Sequence, residues 1–238
     1  MSRQTTVFSP SHAARQRGNA TIYVLIVVAL FAALAFVLSR QNDTSESGHI
    51  SNERADIVAG EIIAYPAQVK QALDMMMMSG TSPSDFDFTQ SGQPNFNTAP
   101  TTKKIFHPDG GGLTLAQIPA GAVAETSTNP KAGWYLTEFN NVGWTESSNY
   151  DVILVAYQIS KDVCQRINKR LTGTADIPVL NNTIPNLLIA RESPPGISVH
   201  SGSNADFDAS ACSTCNLPSL CVSDSGPHYG FYSVVVGR

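Results

Sequence analysis

The stretch GWYLTEFNNVGWTESSNYDVILVAYQIS, from Gly133 to Ser160, decides the class of the fold. Its two ends, about 133–140 and 150–158, are dense in aromatic and β-branched residues, which suit a pleated, half-buried surface. The polar TESSN between them is turn chemistry, so two antiparallel strands are expected. Ser160 then sits where a helix N-cap belongs, ahead of KDVCQRINKRL. In that segment Val163, Ile167 and Leu171 recur every four residues and Gly173 follows as a stop. Further on, NLLIA (186–190) predicts a short strand, and GFYSVVVGR closes the chain as another.

Upstream, Val58, Ile62, Tyr65, Val69, Leu73 and Met76 advance in steps of three or four, one apolar helical stripe. Gly48 weakens any helix before it, and Ser51 or Asn52 can cap a fresh start. Pro66 lies inside the stripe and is expected to kink or restart the helix. Gly80 ends it. Four consecutive methionines, Met75–Met78, cannot all face one way; two or three should line the core and the rest its edge. Residues 81–130 are rich in Ser, Thr, Pro, Gly and Asn and read as surface loops. Within them FHPDGGG (106–112) lacks the Lys-Ser/Thr of a phosphate-cradling loop, so His107 and Asp109 are read as a turn rather than a metal site. Helix first, then mostly antiparallel sheet with one extra helix, makes an α+β domain.

The chain has 238 residues, 15 basic and 19 acidic. Arg3, Arg15 and Arg17 stand in residues 1–18 with no acidic residue, so the remainder holds 12 basic against 19 acidic, a net −7. Such a body attracts no polyanion, and a nucleic-acid partner is excluded as an expectation.

Arg15 and Arg17 precede Ala20–Leu38, 19 residues of which only Thr21 is markedly polar. As a helix this run is about 28 Å long, close to the hydrocarbon core of about 30 Å. The basic flank predicts a cytoplasmic N-terminus, with residues 41–238 across the membrane. Three fates remain open for this run: a permanent single-pass anchor, a signal cut after Ala33-Leu34-Ala35 so that the mature chain starts near Phe36, or a leader cut after Gly18.

The third fate rests on a likeness. A basic leader ending in Gly18, then Asn19 and a long apolar helix, resembles the leader of type IV prepilins and type II secretion pseudopilins. The resemblance implies cleavage between Gly18 and Asn19 by a prepilin peptidase. It also implies a helix kept first as an inner-membrane anchor and then as the packed core of a filament. The partners implied are the lipid bilayer and other pilin-like subunits. The family usually carries an aromatic or Met where Asn19 stands and Glu where Tyr23 stands; the missing Glu looks like minor subunits at a filament tip. The order of apolar anchor, Tyr65-Pro66 helix, Phe-His-Pro-x-Gly-Gly turn, Trp-containing strand, Cys-bearing helix with Ile167-Asn168 and terminal strand is similar to pilin-like proteins of alphaproteobacterial genomes. The expected organisation is therefore a leader at 1–18, a transmembrane helix at 19–39, a polar linker and amphipathic helix at 40–80, and a periplasmic head at 81–238. The implied role is a structural pilin-like or pseudopilin-like subunit. The alternative is a binding or scaffolding domain on a permanent anchor that does not polymerise.

Cys164, Cys212, Cys215 and Cys221 all follow the apolar run, so on this orientation they face an oxidising compartment and predict two disulfides. Three pairings are possible. The place of Cys164 on the short helix predicts that one bridge ties the loop 212–221 back to it, worth about 4 kcal/mol for a loop of roughly 50 residues. Cys212-Ser-Thr-Cys215 has redox spacing, and three cysteines with His228 have zinc-ligand chemistry, but neither sits in the expected context. Asp85 with Asp87, and Asp206 with Asp208, are alternating pairs that suit Ca²⁺ or a solvated loop. No metal, cofactor or catalytic residue is assigned: no His stands in a nucleophile or metal motif, and the expectation is a protein that is not an enzyme.

Overall fold

The structure is a computed structural model that describes residues 20–41, 47–124, 130–189, 206–226 and 228–238. The chain divides into two compact units, Met1–Ser51 and Asn52–Arg238.

In the first unit, helix α1 covers Ala20–Gln41. Its described side chains, Ile22 to Ala33, are all exposed, with Phe31 at 71% and Tyr23 at 65%. The expected span of 19–39 reaches past these residues at both ends. Among the described residues no helix is long and apolar enough to cross a membrane. Gly18 and Asn19, the expected cleavage site, lie outside the described residues.

The second unit is α+β. Helix α2 (Ser47–Met78), of which residues 52–78 belong to this unit, begins before the expected restart at Ser51–Asn52 and runs on through Pro66 as one element. Proline forfeits one main-chain hydrogen bond, and the packing of the apolar stripe on both sides of it offsets that loss. All six stripe residues are buried, with Val69 and Leu73 fully so. Of the methionines, Met76 is buried at 3% exposure while Met75 and Met78 stand at 53% and 88%.

The strands are β1 (Gly133–Asn140) and β2 (Asp151–Tyr157), as expected, with β3 (Ser219–Ser223) and β4 (Tyr229–Val236). They form one antiparallel sheet in the order β1-β2-β4-β3. Between β2 and β4 lies α3 (Lys161–Thr172), with Ser160 Oγ accepting from Val163 N and Gly173 ending it at φ 85°. That left-handed conformation is one a side chain resists.

Two expectations need correction. NLLIA is not a strand: Ile184–Leu188 is a short helix, α4, capped by Thr183, whose hydroxyl accepts from Asn186 N, and opened by Pro185. An apolar run that short has no readable period, and its cap decides it. Residues 212–221, read only as a loop, contain the start of β3, which Pro218 precedes.

Side chains alternate across the sheet with period two. Trp134, Leu136, Leu154, Ala156, Cys221 and Phe231 face α2 and α3. Tyr135, Ile153, Val155, Tyr157, Leu220 and Tyr232 face α4, Phe207 and the Cys212–Cys215 loop. Every residue of β2 is buried because both faces are covered.

Candidate functional site

The stripe on α2 places Tyr65 against Trp134 and against the backbone of Thr114 and Ala116, three residues that line a concavity. Its ring stacks on Trp134 at 4.7 Å. Its hydroxyl accepts from Ala116 N at 2.9 Å and donates to the Thr114 carbonyl at 3.3 Å. Burial pushes this phenol above its usual range, and the Ala116 N–H pulls the other way. The clamp fixes residues 113–118, which carry no regular secondary structure and alternate between half-buried Leu113 and Leu115 and exposed Thr114 and Ala116. Beside them opens a groove of about 520 Å³ whose apolar walls include Phe106, Leu115, Ile118, Val123 and Trp134. Among the described residues no charged side chain lines it.

The neighbouring turn explains the triple glycine. Gly110 N donates to the His107 carbonyl and Gly111 N to that of Lys104. A Cβ on Gly110 would lie 2.1 Å from the Lys104 oxygen, and one on Gly111 would lie 2.5 Å from that of Ile105. His107 Nδ1 accepts from Asp109 N at 3.1 Å, a local turn contact. Lys104 itself is buried, and its ammonium donates to the carbonyls of Asn95, Phe96 and Thr98. A buried charge requires such compensation, and three acceptors match its three protons. A second concavity, of about 430 Å³, is bordered by Met75, Met76, Lys103 and Asp109.

The four cysteines form Cys164–Cys221 and Cys212–Cys215. The first is the expected tie between α3 and the loop 212–221, at a separation of 57 residues. Asn168, one turn along α3, doubles that tie. Its Nδ2 donates to the Cys221 carbonyl and its Oδ1 accepts from Cys221 N, both at 2.8 Å. A side-chain amide thus occupies the outer edge of β3, where another strand would otherwise pair. His228 pairs with Asp224 at 3.1 Å.

The acidic pairs serve turns. Asp208 accepts from Ser210 Oγ at 2.5 Å, Ser210 N at 2.8 Å and Ala211 N at 3.2 Å, and these donors, the hydroxyl first, hold its carboxyl below the usual range. Asp206 beside it is exposed. Asp85 pairs with Lys103 at 3.2 Å and Asp87 accepts from Thr89 N at 2.8 Å. Among the described residues no group of three or more His, Cys, Asp or Glu side chains is placed to hold a metal ion.

Sequence reading missed Tyr65 as a clamp, Lys104 as a staple and Asn168 as an edge cover. Only Asn168 carried a local signal: it falls on the apolar face of α3 with Val163, Cys164 and Ile167, where an amide needs a buried partner. No family model, no curated protein and no solved structure matches this chain.

Proposed function

We propose that the chain is a pilin-like or pseudopilin-like subunit. On this reading its leader is cut between Gly18 and Asn19, its apolar helix anchors it in the bacterial inner membrane, and its disulfide-locked head faces the periplasm. Its work is assembly: α1 packs against copies of itself in a type IV pilus or type II secretion filament. The carrying observation is that Ile22–Ala33 is helical and exposes apolar side chains on every face. Each large apolar side chain withdrawn from water contributes about 1.5–3 kcal/mol, so such a cylinder gains strongly from lipid or from a sister helix. The basic leader ending at Gly18 favours the filament, and a long helix laid on an antiparallel sheet accords with it. Tyr23, where the family carries Glu, favours a second reading, a head on an anchor that never polymerises.

Mass spectrometry of protein from the native host should find Asn19 as the first residue, and a Gly18→Trp substitution should abolish that processing. A mature chain that retains Gly18 leaves the plain anchor, and one that starts near Phe36 overturns both readings. Crosslinking between cysteines placed at Ile26 and at Leu30 separates the two membrane readings: ladders longer than a dimer mark a filament.

A further inference from the structure

The groove beside Trp134 also has a backbone side, residues 113–118. In an extended chain the N–H and C=O of one residue point to the same side, and the next residue's point to the other. The Tyr65 hydroxyl takes the Thr114 carbonyl and the Ala116 N–H, so those two residues face α2. Leu113, Leu115 and Gln117 then face the opposite way. Leu113 N meets a strand-like neighbour there, donating to the Ile105 carbonyl at 3.0 Å. That neighbour is itself paired, Ile105 N donating to Asp87 O at 2.9 Å. It then leaves, because the chain turns away through Phe106–Gly112. From Leu115 to Gln117 no described residue takes the place of a neighbouring strand. Among the described residues the backbone groups of Leu115 and Gln117 make no hydrogen bond. The open edge borders the groove, whose described lining sets apolar Phe106, Leu115, Ile118, Val123 and Trp134 among the neutral polar side chains of Gln90, Ser91 and Gln117.

We infer that this groove is a strand-addition site for a short, extended, uncharged peptide segment. The segment hydrogen-bonds to Leu115 and Gln117 and sets alternate apolar side chains against Phe106 and Trp134. Main-chain pairing gives affinity in this mode, and pockets for every second side chain give selectivity. The neutral walls select against charged segments, since an ion brought there would lose water without gaining a partner. A cavity of this volume is within the range of sites that hold a drug-sized ligand, enough for the side chains a short segment turns inward. The site belongs wholly to the unit Asn52–Arg238 and is independent of whether α1 polymerises.

The test is selection of a displayed random heptapeptide library on the full chain in detergent. Leu115→Pro and Gln117→Pro variants serve as parallel surfaces, since each substitution deletes one outward N–H. The expected result is enrichment of uncharged, alternating sequences. Their synthetic peptides should bind at micromolar Kd, lose at least ten-fold on either variant, and protect the Leu115 and Gln117 amides from hydrogen exchange. Equal enrichment on the wild-type and both Pro surfaces overturns the proposal, as does selection of charged peptides or an absence of protection at those two amides. Circular dichroism of each variant shows whether it is folded. Should one fail to fold, the other and the amide protection in the wild type decide.

Discussion

The two faces of the sheet are equally dry and differently made. One is covered by regular structure: the α2 stripe and α3, held to β3 by a disulfide between residues 57 apart. The other is covered by a five-residue helix, by Leu180, Phe207 and coil, and by a disulfide between residues three apart. A cover that repeats every three or four residues announces itself in sequence; a cover assembled from singles does not. The difference extends to how each bridge acts. Closing a long loop restrains the unfolded chain far more than closing a tight turn.

The largest blow to the comparison is therefore the double change Cys164→Ala with Cys221→Ala. It should lower the unfolding free energy by about 4 kcal/mol on the chain-entropy account, read by denaturant titration. The same change at Cys212 and Cys215 should cost only about 1.5 kcal/mol. Equal losses from the two pairs would mean that the irregular face relies on its bridge as heavily as the regular one does. Between these extremes lies Asn168→Ala, which strands the Cys221 N–H and C=O inside the fold and should cost about 3 kcal/mol with both bridges intact.

The smallest effect belongs to the irregular face alone. Burial pushes the Tyr135 and Tyr157 phenols up to about 12, with Tyr157 acting on Tyr135, and Asp224 on Tyr157, in the same direction. Folded values above the ordinary 10.0 mean that the neutral phenol is favoured in the fold. That stability is fully present below pH 10 and lost as pH rises toward 12. Replacing both by Phe should flatten the alkaline decline of stability measured by thermal melting, whatever the change in its absolute level. An unchanged slope would place the alkaline weakness elsewhere.

The regular face was legible. All six stripe residues, both strands at 133–158 and the Ser160 cap were readable because each signal is local. The α4 helix was misread because Thr183 and Pro185 outweigh an apolar run too short to show a period. Strand β3 was missed because its partner, β4, and its edge cover, Asn168, come from elsewhere in the chain. The same distance hid the groove. Tyr65 and Ala116 are 51 residues apart, and nothing near either one announces the other. The cysteines were legible as a set but not as pairs, since pairing depends on where β3 lies against α3.

Lys104 has a consequence for how this protein can change. Its ammonium grips only main-chain oxygens, those of Asn95, Phe96 and Thr98. Every amino acid carries such an oxygen, so Phe96 and Thr98 can be replaced without loosening that grip, whereas Lys104 has no substitute. Asn95, at φ 71°, is the other fixed letter, open mainly to Asn or Gly. A saturation scan should find tolerance at Thr98 and at the exposed positions beside it, and intolerance at Lys104 and Asn95.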